Sequence, residues 1–174
     1  MHGTLRAGRL LGEDGVDASF ARGFASLRVD RAFGAERLVL SALGGAASSR
    51  GPLPPQEYLF AGGPVTAPGY RFHTLSGRAL GAVRADWQVP VPFIPVSLGR
   101  WGRIPGRASI VPLGSTVYVA RSAPFRRAET GWYPSLGLGL IALFDLLRVD
   151  AVKGLRDGRW SWNVDISRDF WRIM

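Results

Sequence analysis

The sequence predicts an all-β protein, an antiparallel meander of about eight strands. Apolar and polar side chains alternate with a period of two along several stretches, as in strands that have one apolar face. The 174 residues include 23 Gly and 12 Pro, a content that favours many turns over long helices. No stretch shows a convincing helical repeat, so we treat residues 1–174 as one all-β domain.

The first strands follow one another through short turns. Thr4 to Leu11 is a weak first strand that ends before the turn signal Glu13-Asp14-Gly15. Phe20 to Phe33 has small or apolar residues at odd positions and includes Arg, Ser and Asp at even positions. A turn near Gly34 then predicts a third strand from Glu36 to Ala47.

The middle strands carry the clearest contrast between two faces. Arg78 to Val91 alternates without interruption, with apolar or small residues on one side and Arg84 and Asp86 on the other. Prolines at 90, 92 and 95 then end this strand. Arg107 to Ala120 is mostly apolar and predicts a fifth strand.

The last strands form two predicted hairpins. Ser135 to Phe144 has four apolar side chains on one face and glycines 137 and 139 on the other. After a tight turn at 145–146, Leu147 to Leu155 pairs Arg148 with Asp150 on one face. The two faces carrying Arg84, Asp86, Arg148 and Asp150 fit a wet barrel lumen, and they also fit a solvated sheet face.

The eighth strand, Arg159 to Trp171, has the strongest alternation in the chain. Its apolar series is Trp160, Trp162, Val164, Ile166 and Phe170, interrupted only by Arg168. This length is about what a tilted strand needs to cross a bilayer. Its aromatic residues lie near both ends, where interfacial girdles form. Taken alone, the strand fits a soluble sandwich equally well.

The lengths of the loops favour a membrane barrel. With the C-terminus in the periplasm, the long stretches Ser48–Ser76 and Arg121–Tyr133 lie on the extracellular side. The short turns near Gly34 and Asp145 lie on the periplasmic side, as in bacterial barrels, and Pro92–Gly106 is the exception.

Composition limits the possible functions. There is no Cys, so no disulfide and no Cys-ligated metal site is expected. The net charge of +9 comes almost entirely from Arg, scattered along the chain and often close to an acid, so we expect no nucleic-acid binding. His2 and His73 are too far apart in sequence to suggest a metal site, and no catalytic constellation occurs. We therefore expect neither enzyme activity nor a cofactor.

The N-terminus has no apolar signal-peptide region, and the longest apolar run, Leu136 to Phe144, is too short for a membrane helix. An outer-membrane protein needs an export signal, so this prediction implies either that the chain is a fragment or that its start is missing, and both alternatives stay open.

Several motifs occur in an order that resembles a known family. They are Leu59-Phe60-Ala61-Gly62-Gly63, Ala67-Pro68-Gly69-Tyr70, the strand ending Arg84 to Val91, Gly137-Leu138-Gly139-Leu140, Leu147-Arg148-Val149-Asp150 and the aromatic C-terminal strand. This order resembles the C-terminal half of BamA/TamA-type outer-membrane assembly and translocation barrels, the bacterial surface antigen superfamily.

The resemblance implies half of a sixteen-stranded transmembrane barrel whose long loop folds back into the lumen. The loop motif would be Pro68, Gly69, Tyr70 and Arg71, with Tyr70 and Arg71 pointing inward near Arg84 and Asp86. Pro68 stands where the family has Arg, and Pro112 stands at the position of its acidic partner, so both halves of the family's ion pair are absent.

The same resemblance implies a function in inserting or translocating outer-membrane proteins. The partners would be outer-membrane lipid and lipopolysaccharide, client outer-membrane proteins and periplasmic assembly factors, and the C-terminal strand would be the recognition signal and seam. Two alternatives stay open. One is a complete eight-stranded outer-membrane barrel with a structural or adhesive role, and the other is a soluble β-sandwich or lipid-binding barrel.

Overall fold

Strands make up most of the chain in the computed structural model, which describes residues 2–10, 18–97, 99–101, 103–104, 106–123, 129–143, 146–156 and 159–166. In chain order the strands are β1 (His2–Leu10), β2 (Ala18–Phe33), β3 (Glu36–Arg50), β4 (Leu59–Ala61), β5 (Leu75–Pro92), β6 (Val96–Ser97), β7 (Arg103–Ile104), β8 (Arg107–Ser122), β9 (Gly131–Ala142), β10 (Leu147–Gly154) and β11 (Trp160–Ile166).

Eight of these strands form one antiparallel meander. Its order is β1-β2-β3-β5-β8-β9-β10-β11, and the short strand β4 pairs with the start of β5. Long sequential hairpins follow from the clean two-residue alternation and the short turns between strands. The predicted all-β meander is therefore confirmed.

Three segments differ from their predicted form. The loop predicted as Ser48–Ser76 is shorter, and residues 51–74, which we call the loop segment, contain a 3-10 turn (Pro55–Glu57), β4 and one helical turn, α1 (Gly63–Thr66). The connection after β5 contains the two-stranded β6–β7 hairpin. Strand β9 starts at Gly131, four residues earlier than predicted, because Pro134 is accommodated opposite Thr116 of β8.

Alternation gives the sheet an outer face that is apolar and exposed. Trp162 and Val164 of β11 are 76% and 66% exposed. Large exposed apolar side chains on this face come from six strands of the meander: β2, β3, β5, β8, β9 and β11. They include Leu27, Val29, Phe33, Leu40, Val83, Trp87, Ile110, Tyr118, Trp132, Leu136, Leu138, Leu140, Trp160, Trp162, Val164 and Ile166. No second sheet covers them among the residues that the structure describes.

The inner face is the side on which the loop segment packs. Leu59, Ala61, Ala67, Tyr70 and Leu75 from the loop segment and the start of β5 form a buried cluster with inward side chains of the sheet. The sheet residues of this cluster are Leu80, Ala82, Val117, Val119 and Tyr133. The apolar core of the molecule therefore lies on the inner face, at the end of the sheet that carries the loop segment.

No helix among the described residues has the length and apolarity needed to cross a membrane. Strands β1 and β11 are at the two ends of the sheet, and each pairs with one neighbour in the part of the chain that the structure describes.

Candidate functional site

Three Arg-x-Asp sequences place an arginine and an aspartate on the inner face. They are Arg28/Asp30 in β2, Arg84/Asp86 in β5 and Arg148/Asp150 in β10. Residues two apart in a strand point to the same side, so each arginine reaches the aspartate of its own strand. Each pair has a nitrogen–oxygen distance of 2.8 to 3.1 Å.

The second and third pairs join into one network, which we call the charge network: Arg84, Asp86, Arg148 and Asp150. Arg84 Nη2 lies 3.3 Å from Asp150 Oδ2, and Arg148 Nη1 lies 2.9 Å from Asp86 Oδ2. The two carboxylates are nearly buried, with side-chain exposures of 8% for Asp86 and 4% for Asp150. Two positive and two negative charges alternate, so the network is neutral and each carboxylate is held by both guanidinium groups.

Two glycines of β9 leave space on the inner face, and one of them, Gly139, leaves the space that Asp150 of the charge network occupies. Strands β8 and β9 lie between β5 and β10, and inward side chains there would block the contact. A Cβ at Gly139 would collide with Asp150 Oδ1, and a Cβ at Gly137 would lie 2.5 Å from the Ala151 carbonyl oxygen. Both glycines, which the sequence places on the face opposite the apolar side chains of this strand, therefore lie at crowded positions of the inner face.

The charge network also holds the loop segment. Arg84 Nη1 donates a hydrogen bond of 2.8 Å to the carbonyl oxygen of Pro64 in α1. The turn around Pro64 is closed locally, because the Thr66 hydroxyl bonds to both the amide and the carbonyl of Gly62 at 3.0 Å. One arginine thus connects strand β5, strand β10 and the loop segment.

The predicted loop motif lies against the far strands of the sheet. Pro68 and Gly69 form a type II turn, in which the Tyr70 amide bonds to the Ala67 carbonyl and Gly69 has φ +91°. The Gly69 amide donates to Ser161 Oγ of β11 at 2.9 Å. A Cβ at Gly69 would lie 2.6 Å from the Gly154 amide, so only glycine allows this approach.

Tyr70 is buried on the inner face and connects three segments. Its hydroxyl donates to the Pro134 carbonyl of β9 at 2.7 Å and accepts from the Arg156 amide at 3.3 Å. Its ring packs edge-on against Tyr133, with centroids 5.5 Å apart. Tyr70 therefore lies on the inner face as expected, but beside β9 and β10 and away from Asp86.

Two expectations from the family alignment differ from the structure. Arg71 is exposed and lies outside the residues that line the cavity around Arg84 and Asp86, because the Arg71 carbonyl packs against Gly62 and turns the chain away. Pro112 lies on the exposed outer side of β8, where Val111 and Leu113 point inward. Position 112 therefore cannot be the inner partner of a loop residue.

The predicted seam residues Trp160, Trp162, Val164 and Ile166 all lie on the outer face of β11, and Phe170 lies outside the described residues. Aromatic side chains collect near both ends of this face. Tyr118, Trp132, Trp160 and Trp162 lie near the end that carries the loop segment, and Phe33 and Trp87 lie near the opposite end. Tyr118 and Trp132 are cross-strand neighbours with ring centroids 4.9 Å apart.

A cavity of about 600 Å³ opens on the inner face beside the charge network. Its lining includes Arg28, Arg37, Asn163 and Asp165 in addition to the network residues. Among the described residues no group of three or more His, Asp or Glu side chains is placed to hold a metal ion. The charge network supplies four paired charges to this cavity, an arrangement that suits an aqueous interior and the bracing of strands.

Sequence reasoning missed the partners that fix the loop segment. Pro64 and Pro134 act through their carbonyl oxygens, which no side-chain pattern marks. Ser161 is a polar residue in an alternating strand, like several others, and only the fold shows that it faces Gly69.

No known protein family matches the sequence, and no curated protein is similar to it.

Proposed function

We propose that the chain is a transmembrane part of a bacterial outer-membrane β-barrel, with its outer face against lipid and its inner face in the lumen. The observation that carries this proposal is the outer face itself. A set of exposed large apolar side chains on six strands of one sheet is far beyond what the surface of a soluble monomer carries. The ion pairs of β2, β5 and β10 occupy the opposite side, the reverse of a soluble sandwich.

The height of the apolar face supports this location. On β5 the outward residues from Ala79 to Val91 are all uncharged. Twelve residue steps cover about 40 Å along a strand and about 30 Å along the membrane normal at a tilt of about 40°. This matches the apolar band of outer-membrane barrels, and the two aromatic groups fit its interfacial girdles.

We further propose that the chain is about half of a sixteen-stranded barrel that assists the insertion or translocation of outer-membrane proteins. Resemblance to BamA/TamA-type barrels and the loop segment folded against the inner face support this role. Strands β1 and β11 each offer an unpaired edge within the described residues, and a client strand adds to such an edge through backbone hydrogen bonds. The remaining strands of the barrel would come from a longer chain, and periplasmic assembly factors and clients would be its partners.

Membrane location is tested by refolding the chain into vesicles that contain brominated lipids. We expect strong quenching of tryptophan fluorescence, because Trp87, Trp132, Trp160 and Trp162 lie on the outer face. A folded monomer in detergent-free buffer, with no quenching when vesicles are added, would overturn the proposal.

The assembly role needs a separate test. Vesicles with and without the folded protein receive a urea-denatured outer-membrane barrel, and its folding is followed by heat-modifiable gel mobility. We expect faster client folding in vesicles that contain the protein. An unchanged client rate, with the protein itself inserted, would leave a membrane barrel without assembly activity.

A closed eight-stranded barrel is the second candidate, because eight meander strands are enough to close around their own side chains. Detergent-corrected mass distinguishes the two. A closed barrel gives one chain per particle, whereas a half-barrel needs a second copy or further strands.

A further inference from the structure

The connection between β5 and β8 differs in charge from the turn between β2 and β3, which lies at the same end of the sheet. We call residues 92–107 the basic hairpin. It contains Arg100, Arg103 and Arg107 and no acidic residue, and no Asp or Glu occurs anywhere between Asp86 and Glu129. The turn between β2 and β3 at the same end is balanced, with Asp30 and Glu36 beside its arginines. Positive charge at this end is therefore concentrated in one element.

The basic hairpin continues the β5–β8 ladder beyond the sheet. The Phe93 amide donates to the Gly106 carbonyl at 2.8 Å, and Val96–Ser97 then pair with Arg103–Ile104. A Cβ at Gly106 would overlap the Phe93 carbonyl, so glycine permits this close pairing. Over the residues that the structure describes, the hairpin is thus a paired extension of strands β5 and β8.

The apolar series of the outer face continues to the start of this hairpin at Phe93, and an exposed apolar residue, Ile94, follows it. Val89 and Val91 point outward from β5, and the alternation places Phe93 next in the same series. Ile94 follows and is 76% exposed. Arg100 and Arg107 are exposed as well. Apolar residues at the edge of a lipid-facing surface, next to arginines in a segment that contains no acidic residue, are typical of segments that lie in the head-group layer.

We propose that the basic hairpin is an interfacial anchor that binds anionic phospholipid head groups, with Phe93 and Ile94 at the acyl boundary and Arg100 and Arg107 on lipid phosphates. Continuity with the outer face and charge complementarity select a lipid surface as the occupant. The inference rests on the proposed membrane location and adds to it a lipid preference confined to one end of the barrel.

The test uses single-cysteine variants, since the chain has no native Cys. Ile94→Cys carries an environment-sensitive fluorophore in the hairpin. Phe72→Cys is the matched control, an apolar residue that is 72% exposed but belongs to the loop segment on the inner face. Val83→Cys, on the outer face of β5, reports whether the protein is inserted at all. Each is refolded into vesicles with or without phosphatidylglycerol, and shallow and deep lipid-attached quenchers are compared.

We expect the label at 94 to be quenched by the shallow quencher roughly twofold more than the label at 72, because the interfacial belt lies at that depth. The effect should need phosphatidylglycerol. Arg100→Glu combined with Arg107→Glu should bring quenching at 94 down to the level at 72 and leave quenching at 83 unchanged. Quenching at 83 with none at 94 overturns the anchor alone. No quenching at 83 overturns the membrane location and the anchor together.

Discussion

At the scale of residues, the Arg-x-Asp sequence contributes differently to the stability of the protein in different strands. Arg28 and Asp30 form an exposed pair near the rim of the inner face, whereas Asp150 is almost fully enclosed by Arg84 and Arg148. An exposed pair is screened by water and contributes little to stability, while loss of one member of a buried pair leaves an unmatched charge. Burial, and not the motif, determines what each aspartate contributes.

Asp150→Asn should therefore lower the free energy of unfolding by about 2–4 kcal/mol, because two guanidinium groups lose their shared carboxylate. The matched control is Asp30→Asn, for which we expect a loss below about 1 kcal/mol. Urea unfolding in detergent, followed by tryptophan fluorescence, measures both. Equal losses for the two variants would contradict the enclosed network.

A second prediction concerns the space over β9. Gly137→Ala should destabilise the protein by about 1–3 kcal/mol, since its new methyl group meets the Ala151 carbonyl and the Val152 side chain. Gly81→Ala is the matched control, because a Cβ there meets nothing within 4 Å and Gly81 also lies inside a strand. We expect Gly81→Ala to be neutral or slightly stabilising by the same unfolding measurement. A neutral Gly137→Ala would show that the inner face can relax at this point.

At the scale of elements, the loop segment is held by a few directional contacts. Arg84 holds α1, and Gly69 and Tyr70 contact β9, β11 and the turn after β10. These anchors lie on strands that are distant from the loop in sequence. The loop segment therefore connects β5, β9 and β11 on the inner face as well as packing against it.

Tyr70→Phe tests this anchoring. The variant keeps the ring against Tyr133 but removes both hydroxyl hydrogen bonds, so we expect faster amide exchange in residues 51–74 and faster tryptic cleavage after Arg71. The stability loss should be about 1 kcal/mol. Tyr118→Phe, on the outer face, serves as control and should change neither rate. Unchanged exchange in Tyr70→Phe would mean that the loop is held by apolar packing alone.

The sequence predicted strands better than it predicted contacts between distant strands. The boundaries of β2, β5, β8 and β10 were close because alternation and turn residues act locally. The β4 strand and the β6–β7 hairpin were missed because each is only two or three residues long and depends on its partner. Arg84 and Asp150 were singled out as inward charges, but their contact across β8 and β9 depends on sheet curvature, which no local pattern encodes.

At the scale of the whole molecule, the question is which medium lies against the outer face. The structure separates the large exposed apolar side chains from the ion pairs, one set on each side of a single sheet. In water this arrangement would leave the apolar side uncovered, and in a bilayer it satisfies both sides. The same substitution on the two sides must therefore have opposite consequences.

Val164→Arg and Asn163→Arg make this comparison on neighbouring residues of β11. Val164 points outward and Asn163 lines the inner cavity. In a bilayer an outward arginine near the midplane costs about 2–4 kcal/mol, so Val164→Arg should fold into vesicles less well than Asn163→Arg, whose cation enters the inner cavity. The measurement is the folded fraction by heat-modifiable gel mobility across a urea series.

The same two variants would give a different result if water, and not lipid, lay against the outer face. On a soluble protein, Val164 at 66% exposure is a surface residue, and its replacement by arginine would be neutral or would improve solubility. Asn163→Arg would then be the more harmful change, because it adds a long cation beside Arg84 and Arg148 in a half-buried cavity. Which of the two variants has the lower folded fraction therefore reveals whether lipid or water faces Trp162 and Val164, independently of any family resemblance.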